Sequence, residues 1–139
     1  GLIHALSTHL QKAVQSKGIS QDAVRTYVVD SIDFDIDATF PNDVRTAIYR
    51  IAQEAINNAV SHANAASITV KIGKDASGAL TISVCDDGIG FTRTKGGRRS
   101  GFAHMETRAR LILGHLDITG GPGTCVTLSV PIPNSKDKS

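Results

Sequence analysis

Between Val44 and Val60 the chain places apolar residues at 44, 47, 48, 51, 52, 55, 56, 59 and 60, the repeat of a long helix with one broad apolar stripe. Pro41 sits where such a helix starts. A stripe of that length has to be buried against a second layer, and the rest of the chain offers extended segments to build one. Ala23 to Val29 is rich in β-branched residues and reads as a strand within Asp22 to Asp30, followed by a weaker extended piece near Ile32 to Ile36. Ser67 to Ile72 and Leu80 to Cys85 flank Gly73-Lys74-Asp75-Ala76-Ser77-Gly78 as an antiparallel hairpin, and His115 to Thr119 and Thr124 to Val130 form another around Gly120-Gly121-Pro122-Gly123. Helical spacing returns in Leu2 to Ser16, ended by Lys17-Gly18, and from Gly101 to about Leu113, closed by Gly114. Thr92 to Ser100 holds no apolar residue and reads as a mobile loop, and Asn134 to Ser139 as a polar, frayed tail. The pattern alone supports an α+β domain.

The helix between Pro41 and His62 also has a polar face. Glu54 and Asn58 are one turn apart on it, Asn57 and Ser61 flank them, and His62 continues the ridge. A carboxylate and an amide oxygen so placed can hold a hydrated Mg²⁺ beside phosphate oxygens. The alternative is a plain solvated face on which Arg50 pairs with Glu54. Against it, each asparagine inside a helix costs about 0.5 kcal/mol relative to alanine.

A second polar feature follows a strand. Leu80, Ile82 and Val84 alternate with Thr81 and Ser83 and run into Cys85-Asp86-Asp87-Gly88-Ile89-Gly90-Phe91. Asp-x-Gly-x-Gly at a strand end supplies an acceptor-only carboxylate and a backbone free to bend, which suits a ligand presenting an amino group. An ordinary acidic hairpin turn has the same composition.

The 139 residues make one domain, 40% hydrophobic and 20% charged, which is the balance of a globular chain. A net charge of +2 and 4% aromatic residues argue against nucleic acid as a partner. Lys95, Arg98 and Arg99 are a local basic run, read as a solvated loop before context is added. No apolar stretch approaches the roughly 20 residues that span a bilayer, so no membrane contact is expected of this piece, and the expected location is cytoplasmic. Cys85 and Cys125 lack metal-type spacing and are read as reduced core residues of a cytosolic protein rather than a disulfide. His4, alone among apolar residues, is read as structural.

Taken in order, these pieces resemble the ATP-binding catalytic domain of sensor histidine kinases, within the superfamily that includes gyrase, the mismatch-repair ATPases and the heat-shock chaperone ATPase. Ile48 to Ala59 with His62-Ala63 resembles the N box of the nitrate/nitrite-sensor-like subfamily, and Asp86 to Phe91 its G1 box. Gly101 to Ala109 resembles its G2 region, Gly-Leu-x-x-Met-x-x-Arg, and Gly121 to Val126 with Pro131 its closing strand, so that the likeness spans about residues 40 to 133. It implies an α/β sandwich of the Bergerat type, with a mixed, mainly antiparallel sheet covered on one face by about three helices. Residues 1–18 would be the end of a helix from a preceding dimerisation domain, 19–133 the catalytic domain and 134–139 a tail.

The resemblance also implies roles. Asp86 would accept a hydrogen bond from the adenine amine with support from Thr124, directly or through water. Gly88 and Gly90 would admit the nucleotide, and Ile89 and Phe91 would wall the pocket. Asn58 would bind Mg²⁺, Glu54 would orient a metal-bound water or serve in acid-base chemistry, and Asn57 and His62 would approach the phosphates. Lys95, Arg98 and Arg99 would lie in the ATP lid. Gly101 and Phe102 would open a helix whose first amides face phosphate oxygens, and Met105 would pack near the nucleotide or in the core.

The implied partners are ATP, a histidine-bearing dimerisation domain within a homodimer, and a downstream response regulator. Ser61 stands where family members often carry lysine, and Arg99 where the G2 region often has its first glycine. The family's His-Asp phosphoacceptor motif does not occur in this sequence, and His4 has other neighbours. An anti-sigma-factor type serine kinase and a non-catalytic nucleotide-binding module are the rival functions.

Overall fold

The computed structural model describes residues 1–18, 24–28, 35–62, 67–87, 97–120 and 123–133. The elements in order are α1 (Leu2–Ser16), β1 (Val24–Val28), α2 (Ile36–Thr39), α3 (Asn42–His62), β2 (Ile68–Lys74), β3 (Leu80–Asp86), α4 (Gly97–Leu111), β4 (His115–Thr119) and β5 (Thr124–Val130). The strands form one sheet in the order β1-β2-β3-β5-β4. Only the β1–β2 pair is parallel, because α2 and α3 lie between them in the chain; every other pair is antiparallel.

Burial alternates along β3 and β5, and this decides which way the sheet faces. Ile68, Val70, Ile72, Leu80, Ile82, Val84, Val126, Leu128 and Val130 are buried with the α3 stripe of Ile48, Ile51, Ala52, Ala55, Ile56 and Ala59. The other face carries Thr69, Lys71, Thr81, Ser83, Thr127 and Ser129, none of them buried, and Ser83 and Thr127 share a hydrogen bond of 3.1 Å across it. The mixed, mainly antiparallel sheet with helices on one face is therefore present. α1 buries Leu2, Leu6, Leu10 and Val14 and packs on α3, so its apolar stripe is covered within this chain rather than by something elsewhere.

Three local expectations change, and one left open is decided. Ile36 opens the short helix α2 instead of ending an extended piece, because the Asp35 carboxylate caps the backbone N–H groups of Asp37 and Ala38. α4 begins at Gly97, four residues before Gly101, so the helix absorbs the end of the segment read as a loop. The rest of that segment, 92–96, lies outside the described residues. Cys85 and Cys125 are neither core residues nor free thiols. They share the polar face, stand opposite each other in the β3–β5 register with their Cα atoms 4.1 Å apart, and are joined as a disulfide. That separation is the close spacing of a non-hydrogen-bonded antiparallel pair, at which two cysteine side chains meet. Met105 is fully buried and belongs to the core.

The β2–β3 turn is built by one side chain. Asp75 accepts from the Ser77 hydroxyl at 2.7 Å and from the N–H groups of Ser77 and Ala79 at 2.9 and 3.0 Å. The Ser77 hydroxyl and then these amides hold its carboxyl below the usual carboxylate range.

Candidate functional site

The topology brings the motif-bearing ends of several elements to one end of the molecule. Five residues, 63–67, separate the last residue of α3 from Ile68, and Ile68 pairs with Asp86. Asp86 in turn pairs with Thr124, the first residue of β5. The C-terminal turns of α3, the end of β3 and the start of β5 therefore meet, and the chain from 88 to 96 leaves β3 from the same place. Gly88, Ile89, Gly90, Phe91 and Lys95, assigned above to the pocket and lid, lie outside the described residues, as do the side chains of His62, Arg98 and Arg99.

The two acids after β3 divide into different jobs. Asp87 closes the hairpin: its Oδ1 accepts from the Ser67 N–H at 2.8 Å, and its own N–H donates to the Ser67 carbonyl at 3.2 Å. Asp86, one residue earlier, falls by alternation on the helix-covered side of the sheet, where Leu80, Ile82 and Val84 point. Thr124 is on that side too, 5% exposed, and its hydroxyl is buried with no hydrogen-bond partner among the described residues. A Cβ at Gly123 would land on the carbonyl oxygen of Asp86, so glycine alone lets β5 begin this close to the acid.

On α3, Asn57 and Asn58 do not share one face. Successive residues are 100° apart, so Asn57 and Asn58 point to different sides. Asn57 turns to α1, where its Oδ1 meets His9 Nε2 at 2.9 Å, and His9 also stands edge-on to the Tyr49 ring. The Asn57 side chain thus ties α3 to α1. Asn58 is half-buried, and its Nδ2 is enclosed without a partner among the described residues. Since a buried amide nitrogen left unpaired costs about 1–3 kcal/mol, Asn58 and Thr124 mark polar groups to which a ligand can add hydrogen bonds.

Glu54 pairs with Arg108 of α4, whose Nη1 donates to Oε1 at 3.2 Å. Arg50, the partner considered from helical spacing, is exposed. Gly101 lies in the second turn of α4, so its amide is not one of the free donors at the helix start. Phe102 is buried in the core. Both can shape the end of the cleft, but neither opens the helix. Arg108 and His9 were not assigned from sequence; the motif arginine ending Gly-Phe-Ala-His-Met-Glu-Thr-Arg was a visible signal for the first, and none pointed to the second.

An acceptor carboxylate beside an unpaired hydroxyl, with an unpaired amide and an ion-paired carboxylate on the adjoining helix, is a donor set for a polar ligand with an amine and an anionic end. Comparison with known proteins gives the same direction. Over 96 residues the chain is 35% identical to the signal transduction histidine-protein kinase/phosphatase DegS of Brevibacillus brevis, covering 67% of this chain and 25% of that protein. This chain thus spans about a quarter of that relative's length. The fold is shared with a histidine kinase domain of the Erythrobacter litoralis EL346 blue-light activated histidine kinase, at TM-score 0.68 and 22% identity over 94% of this chain and 61% of that one. It is shared too with full-length ShkA in complex with AMPPNP, at TM-score 0.73 and 16% identity over 96% of this chain and 30% of that one. Residues 43–134 match the histidine kinase-, DNA gyrase B-, and HSP90-like ATPases, and the chain belongs to that family.

Proposed function

We propose that this chain is the ATP-binding catalytic domain of a two-component sensor histidine kinase, which binds Mg-ATP and presents the γ-phosphoryl group to a histidine on a dimerisation domain. The observation that carries this is the pair of buried polar atoms, Thr124 Oγ1 and Asn58 Nδ2, that find no partner among the described residues, at the end of the fold where Asp86 also stands. They fit a nucleotide with its cation. Asp86 accepts from the adenine amine, and the Thr124 hydroxyl supports that contact. Gly123 keeps the backbone of β5 low enough for both to share the face. Asn58 offers an amide oxygen to Mg²⁺ and its N–H to a phosphate oxygen, a ligand set in which the hard cation keeps most of its waters and phosphate contacts. Bound there, Mg²⁺ supplies charge neutralisation on the phosphates.

In the transfer the histidine nitrogen forms a P–N bond as the bridging bond from the γ-phosphorus to the β-phosphate oxygen breaks. ADP leaves with that electron pair. The imidazole proton passes to a base, and Glu54 is the carboxylate standing in the cleft to receive it or to orient a water that does. Because the nucleophile belongs to another domain, what this chain contributes is positioning and preorganised charge.

Labelled ATP supplied with a purified dimerisation domain tests this. The expected product is acid-labile phosphohistidine on that domain, lost when Asn58→Ala replaces the wild type while adenine binding persists. A phosphoserine product on a serine-bearing partner would assign the chain to the anti-sigma-factor type of kinase instead, and binding without transfer would make it a regulatory nucleotide module.

A further inference from the structure

The Glu54–Arg108 pair joins two helices across 54 positions of sequence, one carrying the N-box polar residues and the other following the lid segment. We propose that Arg108 is a positioning residue for phosphoryl transfer, holding the Glu54 carboxylate in its working orientation and making that orientation depend on where α4 sits. The inference rests on the kinase function proposed above and assigns a further residue to it.

Three observations carry it. First, the contact is made by a single nitrogen, Nη1, to a single oxygen, Oε1, at 3.2 Å. It fixes the carboxylate at one oxygen while the other can face the cleft. Second, the stem of Arg108 starts from a fixed base, because its neighbours on α4, Met105 and Ala109, are fully or almost fully buried in the core. A rotation or slide of α4 would therefore move the guanidinium together with the helix. Third, the two side chains remain 42% and 27% exposed, and ion pairs in that setting add little to stability. Fold stability thus gives the pair small purpose, whereas orientation of a reacting carboxylate is sensitive to displacements of about 1 Å. Asn58, one turn from Glu54, has its amide nitrogen enclosed without a partner among the described residues, so of the two groups that would serve the phosphate end only Glu54 is held by α4.

The test compares wild type, Arg108→Gln, Arg108→Lys, Glu54→Gln and the Arg108→Gln/Glu54→Gln double variant. ADP affinity is measured by calorimetry, and kcat and KM by transfer to the dimerisation domain. Arg108→Gln should keep ADP affinity and KM within about twofold while kcat falls ~10- to 100-fold. Arg108→Lys, able to donate one N–H to Oε1, should recover much of that loss, and the double variant should be no slower than Glu54→Gln alone. Should the wild type bind ADP and transfer phosphate while Arg108→Gln keeps full kcat, or should the two losses simply multiply, the positioning role is overturned and the kinase function stands. Should the wild type bind no nucleotide, both are overturned together. If Arg108→Gln fails to fold, Arg108→Lys and the comparison of pH–rate profiles between it and wild type carry the decision: equal kcat with an unchanged profile at reduced thermal stability means a structural strut only.

Discussion

Leu113 is held at φ 60°, the left-handed region that a leucine occupies at a cost of about 1–2 kcal/mol. It does so because it is the residue past the end of α4 that turns the chain toward β4. The Leu113 N–H donates to the Arg110 carbonyl at 3.1 Å and the Gly114 N–H to the Ala109 carbonyl at 2.8 Å, the two bonds of a Schellman stop. Its side chain is 82% exposed and gains almost nothing from packing. Leu113→Gly should therefore raise stability by roughly 0.5–1 kcal/mol in urea denaturation, the strain relieved outweighing the extra chain entropy of glycine. A loss of stability would mean that Leu113 makes a contact its exposure does not suggest. The same attention to single positions separates Asp87, which ties Ser67 and closes a hairpin, from Asp86, which alternates to the helix-covered side of the sheet. The residues themselves leave the two acids as one motif and only the resemblance singles out Asp86; the strand separates them physically by alternating adjacent carboxylates between faces.

Among the elements, those with strong periodicity were legible. The bounds of α1, β4 and β5 follow directly from apolar spacing and from Gly18 and the Gly120–Gly123 turn, and the α3 stripe could be read almost residue by residue. What was not legible depends on partners far away in sequence. Asn57 meets His9 at a separation of 48, and Glu54 meets Arg108 at 54. No spacing rule within one helix reports either. The start of α4 was hidden because Gly97, Arg98, Arg99 and Ser100 have no apolar residue to mark a helical face. The cysteines were misplaced for a more instructive reason. Thr81, Ser83 and Cys85 share a parity, as do Cys125, Thr127 and Ser129, so the alternation already put both sulfurs on the polar face, but cysteine's general preference for burial was given more weight. Their bond closes a loop of 40 residues across the central pair of strands. By the chain-entropy relation it stabilises the fold by ~4 kcal/mol. A phosphine reductant should lower the urea midpoint of the wild type accordingly and leave a Cys85→Ser/Cys125→Ser variant unmoved. A wild-type midpoint indifferent to reductant would show that the two strands need no cross-link.

At the level of the whole molecule, one face of the sheet is spent on the helices and the other stays polar, so a site can form only at an end or beneath a helix. The end chosen is where α3, β3 and β5 converge, and membership in the ATPase family places nucleotide chemistry on such a domain. No described helix is long and apolar enough to cross a membrane. In the function proposed above, the N-box helix would serve the phosphate end and β3 and β5 the base end, and the Glu54–Arg108 pair ties α4 to the N-box helix. The proposed function rests first on one contact, the acceptance of the adenine amine by Asp86. Calorimetric titration of wild type and Asp86→Asn with Mg-ATP measures it most directly. Saturable binding at one site in the wild type and none detectable in Asp86→Asn, with both proteins equally folded by circular dichroism, is the predicted result; the same ATP affinity in both would contradict it.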